Sequence, residues 1–299
     1  MTQSPRREDE LRELIERFER AFDPARNDPR AHDAEPPVSV EAAPPAPRRL
    51  SLPLTRPWLV YALLAVNALM FALSWLVAQR LPMPYVDAAH GTVIVDRFTA
   101  ALYVLGAKDN QAIDAGQWWR LLTPMVLHGS LLHLLFNAWA LYLFGTDVER
   151  VYGTLRFAAI YLLAGLAGSI ASYVFNPGGL AVGASGAIFG LLGALAAFAY
   201  QARTLIGREA SKMQIGQMAT LAAINLLLGF ATPNIDNAAH IGGLIVGTLA
   251  GLALAPRYVL VRDGWLPRIQ RRDHALLGWL GATALLIALI VWFVWRAPL

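Results

Sequence analysis

Cysteine is absent from this 299-residue chain, which excludes disulfide bonds, thiolate zinc sites and cysteine nucleophiles. Charge is scarce too, at 15% of residues against 56% hydrophobic. That balance excludes an ordinary soluble domain and points to a polytopic membrane protein. Asp and Glu are missing from the apolar runs that hold His128, His133 and His240. A metal centre built on those three histidines would lack the carboxylate partners such sites use, so no metal and no cofactor is expected. The first fifty residues are polar, so a cleavable signal peptide is not expected and the first apolar run must serve as both address and anchor. The net charge of +4 carries no nucleic-acid signal, because the basic residues follow the membrane topology instead.

Seven runs are long enough to cross a bilayer as helices, near residues 58–79, 124–145, 157–175, 185–201, 214–231, 238–255 and 275–295, a helical crossing taking about 20 apolar residues. The fourth and sixth are short, so their first residues are expected within the thickness of the membrane. Asn67 and Asn225 stand alone in their runs and read as hydrogen-bonding residues between packed helices. Twenty of the 25 Lys and Arg fall in the N-terminal tail and in the loops after the second, fourth and sixth runs. The positive-inside rule therefore places the N-terminus in the cytoplasm. Residues 1–56 read as a cytoplasmic tail, with Leu11, Leu14, Ile15, Phe18 and Phe22 at helical spacing followed by a Pro- and Ala-rich linker. Residues 57–256 form the six-helix core, and 257–299 a basic cytoplasmic loop with a seventh span.

With that orientation the second, fourth and sixth runs all pass from outside to inside. Ser185 opens the fourth run within Gly183-Ala184-Ser185-Gly186, and His240 lies near the start of the sixth. Serine is a weak nucleophile until a base takes its proton. Gly186 and Gly190 on one helix, and Gly243, Gly247 and Gly251 on the other, recur at intervals of four, a pattern that lets helices approach closely. Such an approach would bring the His240 ring to the Ser185 hydroxyl, with His240 as general base. The nearest carboxylate, Asp236, precedes the run, so a dyad is expected rather than a three-membered relay. His133 and Asn137 are four residues apart on one helix face. Their N–H groups, with the Ser185 backbone N–H at a helix start, suit a developing oxyanion. His128 fits a structural bridge better.

These residues resemble the rhomboid family of intramembrane serine proteases. The resemblance runs from about Trp58 to Pro256 and rests on Gly183-x-Ser185-Gly186, on Ala239-His240 followed by Gly243 and Gly247, and on the spacing of His128, His133 and Asn137. Trp119-Arg120 looks like the family's Trp-Arg pair in the outer loop, 80–123, and Glu149-Arg150 with Gly153 looks like its motif after the second span. The resemblance implies an all-α membrane protein: a six-helix bundle, here with a C-terminal seventh helix. It implies Ser185 as nucleophile, His240 as base, and His133, Asn137 and the Ser185 N–H as oxyanion donors. His128, Gly183, Gly186, Phe189, Gly243, Gly247, Trp119 and Arg120 take supporting positions. Phe189 departs from the family, bacterial members of which often carry tyrosine there; its ring can still stack on His240. The implied activity is hydrolysis of peptide bonds in or near transmembrane segments of other proteins. The partners are those substrates and the lipid bilayer, in a bacterial inner membrane, with the active site open to the outer side. A non-catalytic scaffold binding client helices on the same fold is the alternative.

Overall fold

The computed structural model describes residues 54–87, 92–233, 235–261, 268–272 and 275–296; the amphipathic segment expected near Leu11–Phe22 lies outside them. In chain order the elements are α1 (Trp58–Ala78), β1 (Tyr85–Asp87), β2 (Thr92–Ile94), α2 (Arg97–Val104), α3 (Asn110–Asp114), α4 (Leu131–Ala140), α5 (Thr146–Tyr152), α6 (Thr154–Phe175), α7 (Ser185–Gln201), α8 (Arg208–Ala231), α9 (Asn237–Leu254), β3 (Arg257–Val261), β4 (Arg268–Arg272) and α10 (Ala275–Arg296). A π-helical turn, Leu141–Gly145, joins α4 to α5, so 131–152 runs as one span. Among the described residues six helices are long and apolar enough to cross a membrane, and the 17-residue α7 is a shorter apolar helix. At about 1.5 Å per residue α7 is roughly 26 Å long, short of a hydrocarbon core of about 30 Å. The result is an all-α membrane bundle with a seventh helix after its core. Among the described residues the strands form two small antiparallel pairs, β1–β2 and β3–β4.

The bundle is built around α7. Its buried residues include Gly186 through Ala194, an unbroken run, whereas α8 buries only Ser211, Ala222 and Gly229. Large apolar side chains such as Leu69, Leu132, Phe136, Phe230 and Ile287 are exposed, as suits surfaces facing lipid. Lipid tails are as apolar as leucine, so helices here associate through close packing rather than escape from water. The α7–α9 contact meets that requirement with glycine. A Cβ on Gly243 would overlap the carbonyl oxygen of Gly186, and one on Gly247 the Cα of Gly190. Tyr152 locks the other end of the pair, its hydroxyl donating to the carbonyls of Ala194 (2.8 Å) and Gly251 (3.1 Å).

Glu149 joins the first two spans. Its buried carboxylate accepts the backbone N–H groups of Leu59 (3.1 Å) and Val60 (2.9 Å) and the hydroxyl of Thr154 (2.8 Å). Pro57, at the N-cap of α1, makes no side-chain capping bond. The cap comes instead from another span, and its negative charge suits the positive end of the helix dipole. The β3–β4 pair docks on the same end, through Arg271 to the Tyr152 carbonyl (2.7 Å) and Tyr258 to the Val151 carbonyl (2.8 Å).

Three details differ from expectation. The second helical span begins at Leu131 rather than Pro124, because Thr123–Val126 is a 3-10 turn and Ser130 caps the helix by accepting from the His133 N–H. His128 thus precedes the helix. Asn67 is fully buried, yet neither of its side-chain polar atoms bonds to a described residue. Asn225 donates to the Leu221 carbonyl of its own helix instead of a neighbour.

Glycine content alone does not predict tolerance in this bundle. Gly247→Val is expected to destabilise the protein by about 3 kcal/mol or more, the upper range for overpacking. Gly216→Ala in α8, with nothing within 4 Å of its added Cβ, is expected to be neutral or to stabilise by up to about 1 kcal/mol through helix propensity. Thermal unfolding of both variants in detergent checks the contrast.

Candidate active site

Ser185 is the first residue of α7, and its neighbours are small for steric reasons. Gly183 has φ +126°, a region L side chains rarely adopt. A Cβ there would also lie 2.8 Å from Cε1 and Nε2 of His133. The Gly183 N–H donates to the Pro124 carbonyl (2.9 Å), fixing the approach to Ser185 against the 3-10 turn before the second span. The earliest N–H groups of a helix have no partner within it, so the Ser185 N–H stands at the positive end of α7 beside its own hydroxyl.

His240 stands in the first turn of α9, and its position is fixed from three sides. Asp236 caps that helix, accepting the Ala239 N–H (3.1 Å) on one carboxylate oxygen and the Ser172 hydroxyl of α6 on the other. Phe189, one turn into α7, stacks on the imidazole with ring centroids 4.3 Å apart and planes 8° apart. Close approach of the backbones does the rest, since a Cβ on Gly168 would lie 2.8 Å from the Ala239 carbonyl oxygen. Nε2 of His240 then lies 2.8 Å from Oγ of Ser185. Nδ1 is buried and bonds to none of the described residues. The Asp236 carboxylate serves the helix cap and Ser172, not the ring.

Of the other expected residues, His133 is brought to the site and meets Gly183. Asn137 lies one turn further along α4, donating from Nδ2 to the His133 carbonyl (2.9 Å), with its Oδ1 buried and unbonded among the described residues. It therefore shares the face of His133, but its observed bond points back into its own helix. His128 is fully buried, its ring edge-on to His133 at 5.3 Å, a packing position. The Trp-Arg pair divides: Trp119 is exposed, while Arg120 turns inward. The guanidinium donates to the carbonyls of Tyr103 and Ala107 (2.8 Å each) and to Oε1 of Gln117 (2.7 Å), and it lies over the Tyr103 ring. Burial lowers its pKa from the ordinary value. Among the described residues no cluster of three or more metal-ligating side chains occurs.

Ser172, which ties Asp236 to α6, and Lys108, which meets the loop before Ser185, were not singled out from the sequence. A serine within an apolar run and a lysine in a loop are both ordinary.

The family model described as Rhomboid domain matches residues 115–257. Among curated relatives, the chain is 48% identical over 197 residues to Rhomboid protease GluP of Bacillus subtilis (strain 168), an alignment covering 66% of this chain and 35% of that protein. It is 42% identical over 159 residues to Putative rhomboid protease YdcA of the same organism, covering 53% and 75% respectively. RHOMBOID-like protein 5 of Arabidopsis thaliana is 31% identical over 252 residues, covering 77% of this chain and 81% of the relative. The chain thus spans about a third of the length of GluP and most of the other two. On these matches, and on a helical bundle of the expected order, the chain belongs to the rhomboid family and is a multi-pass integral membrane protein.

Proposed function

We propose that this protein is an intramembrane serine endopeptidase that hydrolyses peptide bonds in or near transmembrane segments of other membrane proteins. The observation that carries the reading is the 2.8 Å contact between Ser185 Oγ and His240 Nε2, a nucleophile and base within hydrogen-bond reach. The protease names of two bacterial relatives support it. Residues 57–256 form the catalytic core, residues 1–56 a cytoplasmic tail, and 257–299 a basic loop and a further span. The membrane is a bacterial inner membrane, and the distribution of Lys and Arg favours a site that opens outward.

The chemistry is acyl transfer. Nε2 of His240 accepts the Ser185 proton as Oγ bonds to the scissile carbonyl carbon. The resulting oxyanion is stabilised by the Ser185 backbone N–H, by a ring N–H of His133 and by the second amide hydrogen of Asn137. Collapse breaks the C–N bond, and the imidazolium returns its proton to the leaving amine. Water then attacks the ester, His240 taking one proton and handing it to Oγ, which releases the carboxyl product. A substrate helix must unwind to present its carbonyl, so segments containing Gly or Pro are the better substrates.

In proteoliposomes with single-span model substrates, wild type is expected to cut within or beside the span. Ser185→Ala and His240→Ala should each lose at least about a hundredfold in rate, the lower range for a general base or an activated nucleophile. Product masses locate the cut. If wild type cuts none of the panel and a fluorophosphonate leaves Ser185 unlabelled in folded protein, the reading fails and client-helix binding becomes the function to measure. Phe189→Ala is expected to lower kcat about three- to tenfold at unchanged KM, matching an aromatic stack of about 0.5–1.5 kcal/mol; steady-state kinetics on the same substrates checks it.

A further inference from the structure

Nine residues, 176–184, separate the end of α6 from Ser185, and they include Pro177, Gly178, Gly179 and Gly183. Such a segment has little intrinsic order, because glycine restrains its backbone least. Acyl transfer, by contrast, loses about a hundredfold in rate for a misplacement near 1 Å. Something outside the segment must hold it.

Lys108, in the outer loop between α2 and α3, meets the segment at four points. Its ammonium donates to the carbonyls of Asn176 (2.7 Å) and Gly179 (3.3 Å). Its backbone exchanges a pair of hydrogen bonds with Ala181, N–H to carbonyl at 3.0 Å and 3.1 Å. The neighbouring chain reinforces the contact, Asn110 donating to the Tyr173 carbonyl (2.8 Å) and the Tyr173 hydroxyl to Asp114. The Lys108 side chain has no exposed surface. Burial pulls its pKa down to about 8, against the attraction of Asp236 and Asp109. At neutral pH it therefore remains mostly charged. Asp236 is the cap of the helix that carries His240, so one ammonium bonds the segment leading to the serine and attracts the carboxylate that anchors the histidine.

We propose that Lys108 is a positioning residue: its ammonium pins the 176–181 segment and thereby sets where Ser185 stands relative to His240. A lysine suits this task because a compact ammonium with three donors can serve two backbone carbonyls at once. The proposal rests on the protease reading for its catalytic consequence, but the pin itself is a property of the fold.

The test compares full-length wild type, Lys108→Met and Lys108→Arg in one membrane mimetic. Amide exchange across 176–184 and steady-state cleavage are read in parallel. Lys108→Met is expected to raise exchange in that segment at least tenfold, with the α7 interior unchanged, and to lower kcat tenfold or more with KM within twofold. Lys108→Arg, which keeps the charge and donors, is expected to recover kcat to within about threefold of wild type. Wild-type exchange across 176–184 in Lys108→Met overturns the proposal. So does a loss confined to KM, or an arginine variant as impaired as the methionine one. Should Lys108→Met not fold, wild type decides alone: the Ala181 and Gly183 amides must exchange as slowly as the last turn of α6, and fast exchange there sinks the pin. A wild type that cleaves nothing defeats the protease reading, while the exchange data still decide the pin.

Discussion

Contact between the backbones of α7 and α9 is the constraint on which the rest of the molecule depends. Two helices that meet through Gly186, Gly190, Gly243 and Gly247 lie closer than any pair of side chains would allow. Only at that separation does a histidine on one helix reach a serine at the start of the other without a long, flexible intermediary. The same closeness puts Phe189 flat on the His240 ring. In lipid, where apolar association gives little drive, the contact must be maintained by dispersion between well-fitted surfaces. Tyr152 adds a hydroxyl bonded to both helices at the far end.

Two of the cations in the outer loop follow one rule. Arg120 and Lys108 are both buried, and their donors meet main-chain carbonyls and the Gln117 amide oxygen. A buried charge is expensive unless its donors are satisfied. Carbonyls satisfy these donors while tying loop backbone to loop backbone, which a surface ion pair would not do. The stretch from 103 to 120 is thereby tied to itself and to the 176–181 segment, with Trp118 and Trp119 left exposed.

The bundle and its central pair were legible in the sequence because both depend on patterns along a single helix. Apolar length marks a span, and glycine at every fourth position marks a face made for contact. The approach of His240 to Ser185 was expected on that logic, whereas the stack of Phe189 on His240 was expected from the family resemblance. What escaped was contact between distant segments that no repeated pattern marks. Lys108 against Asn176, Ser172 against Asp236 and Glu149 against Leu59 join residues far apart in the chain, and nothing in either local sequence announces its partner. The helical start at Leu131 escaped for another reason: hydropathy does not distinguish a 3-10 turn from an α-helix, so 124–130 read as part of the span. Asn137 illustrates the same limit, since spacing gave its face and not the carbonyl it would bond.

Glu149 bears on how the chain is assembled. The first N–H groups of α1 are completed by a carboxylate some ninety residues downstream. While the chain is being made, α1 is therefore chemically unfinished until the second span has been threaded through and its far end delivered. The carboxylate, for its part, has no buried place to go until the start of α1 is there to receive it. One carboxylate thus completes the start of α1 and the end of the second span together, so neither terminus has its full set of partners without the other.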